Sequence, residues 1–369
     1  MTEQEHIQSK PEKSGRSGKP LRPALVISDK TISEYQTFLN HLLVGLAEQS
    51  IPVALVCGSK WRIDPLVPPS IRLIQHDLVP LPWVYEFGYN RLLEELAGFK
   101  PTILHCLCEN GLRLVKKLAW QLDLPFIVTV NSLRGIRVPR YMLDRVRAVT
   151  VSARSIGENI QRRKTRLADR VKVISMSAFV DKPVSCFRNR NQQICMVTAG
   201  SFQDESMYEN LLAAIRRLAI EGYEFMLFIM GQGPAERKLR REISLLGLSE
   251  VVTIVPRLQG WRSVISSADI FIRPWPEKSF NPLILEAMST GTAVAACTGG
   301  VDDFIIDGQT AVVFEGNDEI SIVRTLKGLL DRPEDAYNLA VQAQQHIKEN
   351  HKVSAMVEAF TQLYRQPPV

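Results

Sequence analysis

The stretch Arg273–Phe314, RPWPEKSFNPLILEAMSTGTAVAACTGGVDDFIIDGQTAVVF, reads as strand end, loop, helix, strand, Gly-Gly turn, short helix, Asp-Gly turn and strand. Asn281 stands before Pro282, which puts a good N-cap residue ahead of a proline at the first helical position. The helix predicted over 282–290 stops at Gly291, the residue type that best takes the left-handed position after a helix. A strand that runs through a loop straight into a helix is the repeating unit of a parallel α/β sheet. Such a loop aims backbone N–H groups and the positive end of the helix dipole at one point, which suits a phosphate. Glu286 lies one turn inside the helix, where a carboxylate can accept hydrogen bonds from neighbouring sugar hydroxyls.

Outward from this stretch the same alternation continues in both directions. Strand-like runs in the first half are 24–28, 53–57, 71–74, 102–105, 126–130, 148–152 and 171–175, with helical patterns at 35–49, 86–98 and 112–122 between them. The second half repeats the plan with strands at 194–199, 225–230, 251–255, 269–273, 293–297 and 311–314. Its helices are predicted at 207–221, 235–246, 282–290, 319–331 and 333–350, and a last one at 353–364. The predicted class is α/β: two Rossmann-like parallel-sheet domains facing a cleft. A polar tail covers 1–20, the first domain 21–182, the second 191–350, and a C-terminal segment 351–369, with a polar break at 181–191 as the linker. Open sheets of this kind bind ligands outside the carboxyl ends of their strands, so the loops after strands are where chemistry is sought.

Composition sets further bounds. The chain has 369 residues, 45% of them hydrophobic and 23% charged, enough for two globular cores. No apolar run is long enough to span a bilayer and no signal-peptide pattern opens the chain, so a cytoplasmic protein is expected. The six cysteines are scattered and read as reduced thiols, and Cys106-Leu107-Cys108 lacks zinc-site spacing, so no metal is expected. The net charge of +6 is uneven: between Arg134 and Lys172 twelve Lys or Arg face three acids, Asp144, Glu158 and Asp169. That region is either a solvated face or a patch that meets phosphates or an anionic membrane at its inner surface. Nucleic acid ranks below both, because no groove-reading motif or stacking pattern accompanies the charge.

The stretch Arg273–Phe314 resembles the donor-site signature of retaining family-4 glycosyltransferases of the GT-B fold, and the resemblance implies that the C-terminal helix, 353–364, crosses back over the cleft. That signature carries two glutamates eight positions apart, with Gly-Phe-Gly after the first and Glu-Ala-Met at the second. Phe280 and Glu286-Ala287-Met288 fit; Lys278 stands at the first glutamate, with Glu277 one residue early, and Ser279 and Asn281 replace the glycines. The resemblance implies that Glu286 binds the donor ribose and that the position of Lys278 faces the transferred sugar. A lysine cannot accept hydrogen bonds from hydroxyls, so Lys278 is either a phosphate partner or a surface lysine.

It further implies a diphosphate loop at Gly200-Ser201-Phe202-Gln203-Asp204-Glu205-Ser206, where Ser201 and Ser206 replace the family's Arg and Lys. Gly231-Gln232-Gly233 corresponds to a Gly-x-Gly near the nucleotide, or is simply a tight turn; Arg257 lies where the base is held and either stacks on it or is simply exposed. Gly299 and Gly300 match the Gly-Gly turn near the donor, and Asp302 and Asp303 after it read as helix N-cap residues. In the first domain His105 matches the first histidine of His-x-His, or is a satisfied strand-end histidine, and Asn131 stands where a histidine near the sugar is common. The loop Asp29–Ser33 lacks the usual glycine.

The implied activity is retaining transfer of a hexose from a UDP- or GDP-sugar to a hydroxyl on a saccharide or lipid-linked acceptor, in polysaccharide or glycolipid synthesis. No metal and no other cofactor is implied, and the departing phosphate itself takes the acceptor proton. The substitutions Asn131, Ser201, Ser206 and Lys278 leave open a catalytically lapsed relative that binds a nucleotide or a partner. A sugar-nucleotide epimerase on the same fold lacks a visible acid–base set.

Overall fold

The computed structural model describes residues 20–59, 70–78, 81–163, 165–180, 182–188, 193–256 and 261–366. Two all-parallel sheets organise them. The first contains β1 (Pro23–Val26), β2 (Val53–Gly58), β3 (Ile71–His76), β4 (Ile103–Cys106), β5 (Phe126–Val130), β6 (Val146–Val151) and β7 (Val171–Val173), in the order β3-β2-β1-β4-β5-β6-β7. The second contains β8 (Ile194–Ser201), β9 (Phe225–Gln232), β10 (Val252–Val255), β11 (Ile270–Arg273), β12 (Ala293–Cys297) and β13 (Val312–Phe314), in the order β10-β9-β8-β11-β12-β13. Strands such as Pro-Ala-Leu-Val and Phe-Ile-Val-Thr-Val are buried at every position because helices cover both faces, hence continuous apolar runs rather than alternation. The strand order reverses between β1 and β4 and again between β8 and β11. Those two switch points are where such sheets take ligands.

The helix Pro282–Thr290 forms as its caps require. Asn281 accepts a hydrogen bond from the Leu283 N–H at 2.9 Å, and Gly291 adopts φ 79°. A Cβ on Gly291 would lie 2.8 Å from Val184 Cα, so close approach and backbone conformation both demand glycine. The helices Glu319–Asp331 and Pro333–Asn350 take the predicted bounds.

Two predictions about helices are corrected. The pattern 35–49 is broken at Tyr35, and a helix Asp29–Glu34, capped by Ser28, precedes the helix Gln36–Glu48. Asp29–Ser33 is therefore helical rather than a loop. After the Gly-Gly turn no helix forms; residues 301–306 run as turns, because Asp302 is drawn into the core instead of capping.

The last helix, Val353–Arg365, lies on the first domain although it comes after the second in sequence. Val357 packs where Gly45 leaves room, and the Phe360 ring meets Phe38 edge-on at 6.3 Å. Thr361 donates to Gln49 at 3.1 Å and Arg147 donates to the Tyr364 carbonyl at 2.9 Å.

Candidate functional site

β11 delivers Arg273 to the switch point of the second sheet, and the site is assembled around that side chain. Arg273 is buried; it donates to Asp302 at 2.7 Å and to the Cys297 carbonyl at 2.6 Å. The other oxygen of Asp302 accepts the Asn281 N–H at 3.1 Å. A Cβ on Gly300 would lie 2.3 Å from the Arg273 guanidinium, so the glycine turn is the roof over this pair. Burial pushes the Asp302 carboxyl up to about 6, against the pull of Arg273. Asp303 accepts the Arg154 N–H across the interdomain boundary. Phe280 is buried, with its ring 5.6 Å from that of Phe304.

Glu277 points into the same space. Its carboxylate takes hydrogen bonds from the side chains of Asn281 and Trp275, and burial, then the charge of Asp302, raises it to about 7. Trp275 lies over Gly200, where a Cβ would stand 2.8 Å from the indole, and meets the Tyr208 ring at 4.9 Å. Three buried polar atoms around this point lack a partner: Tyr208 Oη, Thr198 Oγ1 and Arg273 Nε. Thr198 lies on β8 beside Ile272 of β11, so these orphans gather at the switch point. Buried donors without partners are uncommon and mark a place where a polar ligand can be taken.

The expected diphosphate loop is close by. Ser201 is exposed and accepts from Gln203 at 2.5 Å; Ser206 is exposed and its N–H caps onto Asp204 at 3.0 Å. Lys238, a cation bonded to this loop, is paired with Glu205 at 2.8 Å. Gly231 and Gly233 are demanded by the chain itself: a Cβ would lie 2.0 Å from the Gly200 carbonyl oxygen in one case and 2.3 Å from that of Phe202 in the other. Gly299 takes φ 78° above Pro276. Lys278 is exposed, and Arg257 lies outside the described residues.

Glu286 is only 8% exposed and is engaged by Arg262, which donates to its Oε2 at 2.6 Å, to Ser289 Oγ at 3.0 Å and to the Phe179 carbonyl at 2.6 Å. The sequence gives no sign of Arg262, since nothing local ties it to a glutamate 24 residues on.

Across the cleft, the catalytic reading of His105 is corrected. The ring is 0% exposed and both nitrogens are used, one with Tyr364 Oη at 2.6 Å and one with Thr129 Oγ1 at 2.8 Å. Burial drives its pKa down to about 3, so it stays neutral and positions the last helix. Asn131 does reach the cleft. Its Oδ1 accepts from Ser152 at 3.1 Å and its N–H donates to Glu109 at 2.9 Å. Its carbonyl accepts the Phe280 N–H at 2.8 Å, and the Leu133 N–H donates to the Lys278 carbonyl at 2.8 Å, with Ser132 and Ser279 paired antiparallel between them. Tyr35 donates to the Phe280 carbonyl at 3.0 Å. The loop after β5 and the loop after β11 are thus stitched together, placing Asn131, Lys278 and Phe280 in one cluster. Glu109, another residue the sequence does not single out, anchors it through Asn131 and Ser132.

Among the described residues no group of three or more His, Cys, Asp or Glu is placed to hold a metal. No helix among them is long and apolar enough to cross a membrane. The cations of 134–172 do not form one patch: Arg147 and Arg170 turn inward onto backbone carbonyls, whereas Arg134, Arg137 and Arg140 stay exposed.

Two parallel sheets whose switch points face each other across stitched loops define a GT-B-type protein, the architecture of nucleotide-sugar glycosyltransferases. The structure of Anabaena Alr3699/HepE in complex with UDP-glucose superposes with a TM-score of 0.76 over 93% of this chain and 98% of that one, at 11% identity. Residues 187–346 match the model of the family Glycosyl transferases group 1. The chain is 24% identical over 351 residues to the sulfoquinovosyl transferase SQD2 of Arabidopsis thaliana, covering 85% of this chain and 67% of that protein. It is 32% identical over 129 residues to a D-inositol 3-phosphate glycosyltransferase of Arthrobacter sp. (strain FB24), a match that takes in 33% of this chain and 30% of that relative.

Proposed function

We propose that the protein transfers a hexose, with retention, from a UDP- or GDP-sugar to a hydroxyl on a saccharide or lipid-linked acceptor. The observation that carries this is Glu286, in the helix that follows β11 and held by Arg262, together with three unpartnered buried polar atoms at the switch point where β11 ends. The ribose lies against Glu286, whose second oxygen remains to accept a hydroxyl. The diphosphate lies between the N-terminus of the helix Pro282–Thr290 and the loop of Gly200, Ser201 and Ser206, with Lys278 as the added cation. Gly231, Gly233, Gly299 and Gly300 shape the walls of this space.

The acceptor enters from the first domain, oriented by Asn131. Its oxygen bonds the anomeric carbon on the face from which the phosphate oxygen departs, and that phosphate oxygen takes the acceptor proton. No metal and no dedicated protein base enters this reaction. The setting is the cytoplasmic side of a membrane, in polysaccharide or glycolipid synthesis. The named relatives are transferases, which leaves the lapsed alternative without support.

Calorimetry against UDP, GDP and their sugars tests the reading. Binding of one nucleotide series is expected, weakened about tenfold by Glu286→Gln, which keeps shape but loses the charged acceptor. Nucleotide affinity untouched by Glu286→Gln would sink it.

A further inference from the structure

Large aromatic side chains stand exposed on one part of the first domain. The helix Pro82–Phe99 exposes Trp83 (91%) and Phe87 (76%), one turn apart, with Leu81 and Val84 also exposed beside them. Its inner face carries Tyr85 and Tyr89, and there Lys117 of the helix Leu112–Gln121 docks. Lys117 bonds Glu86 at 3.1 Å and lies 3.6 Å above the Tyr89 ring. Three residues further on, Trp120 (57% exposed) meets Tyr141 (67% exposed) edge-on at 5.7 Å. Lys116 donates to the Arg137 carbonyl at 3.4 Å, which ties in the exposed loop of Arg134, Arg137 and Arg140. One connected surface therefore alternates exposed aromatic rings with cations.

The charge of this surface is one-sided. The helix Leu112–Gln121 has Arg113, Lys116 and Lys117 and no acid, and the adjoining exposed loop adds Arg134, Arg137 and Arg140 against Asp144, while Arg145 is paired with Asp123 and Arg147 turns inward. Glu86, the acid next to the aromatic tip, is matched by Lys117. Both helices begin at the carboxyl ends of strands β3 and β4, so the surface adjoins the mouth of the first domain's half of the cleft. Exposed aromatic groups of this size mark an interaction surface. Trp and Tyr favour the headgroup layer of a bilayer, and Lys and Arg beside them are drawn to anionic lipid. A symmetric second copy would set these cations against themselves.

We propose that this face docks on an anionic lipid bilayer, with Trp83 and Phe87 entering the headgroup layer and Arg113, Lys116, Arg137 and Arg140 over lipid phosphates. The docking stands independently of the transfer reaction and fixes how the acceptor side meets a membrane. The test is co-sedimentation of the full chain with vesicles of phosphatidylcholine alone and of phosphatidylcholine mixed with phosphatidylglycerol. Binding to the mixed vesicles is expected, about tenfold weaker on neutral ones, and reduced about tenfold by W83S/F87S and by K116E/R137E/R140E. All of these positions except Lys116 are exposed, and a melting curve checks that each variant folds. Equal binding to both vesicle types, or variants that bind as the parent does, would overturn the proposal. So would failure to bind coupled to a concentration-dependent dimer that W83S/F87S abolishes. Thermal shift with UDP on the same variants reads the donor site separately, and no change is expected there.

Discussion

Arg273 and Asp302 form an ion pair with almost no water around it, the kind whose worth lies in both partners being present. Arg273→Met leaves a buried carboxylate alone and is expected to lower unfolding free energy by about 3–5 kcal/mol in denaturant titration. Glu277 and Asp302 have pKa values raised by burial, so the native state holds protons that the unfolded chain has already released. Stability contributed by those protons is present at mildly acid pH and is lost as pH climbs from the ordinary carboxylate range through about 7. Glu277→Gln is expected to flatten that decline in melting temperature between about pH 5 and 8. In the proposed reaction the same ionisation sets a negative charge beside a diphosphate, so donor KM is expected to rise about tenfold above about pH 7 in the parent and to stay level in Glu277→Gln. Asn281, Gly291 and Glu286 were legible in the sequence because caps and motif spacing are local signals. Arg262, Glu109 and Tyr35 were not: their partners lie 24, 22 and 245 residues away, and nothing adjacent in the chain announces them.

The central strands were legible for a related reason: burial on both faces, as in β1, β5, β11 and β12, leaves unbroken apolar runs. Helices with a cap at one end and an apolar stripe were equally plain, Pro282–Thr290 most of all. Asp29–Glu34 escaped because, at only six residues and with Ser, Thr and Asp among them, it reads as a polar loop; Ser28 and the tertiary contact of Tyr35 settle it as helix. The helix expected after Gly300 failed because Arg273 claims Asp302 first. Gly291→Ala tests the element end directly. Positive φ and the Val184 main chain oppose any side chain there, and a loss of about 1–3 kcal/mol in unfolding free energy is expected. A variant as stable as the parent would show that the helix end relaxes freely.

The last helix ties the molecule together. Tyr364→Phe removes the partner of a fully buried histidine nitrogen and is expected to cost about 1–3 kcal/mol, with faster proteolysis around residue 352. A double-mutant cycle with His105→Phe should show most of that cost as coupling between the two. That the chain returns to the first domain was legible only through family resemblance, since the apolar stripe of 353–364 names no partner. Because Val357, Phe360 and Tyr364 complete a core begun at Ala24, the leading lobe cannot finish while its own residues alone have left the ribosome. It waits, with Phe38 and His105 uncovered, until synthesis has passed residue 365. A nascent chain stalled just short of this helix is therefore expected to be a chaperone client and a protease target through its leading lobe.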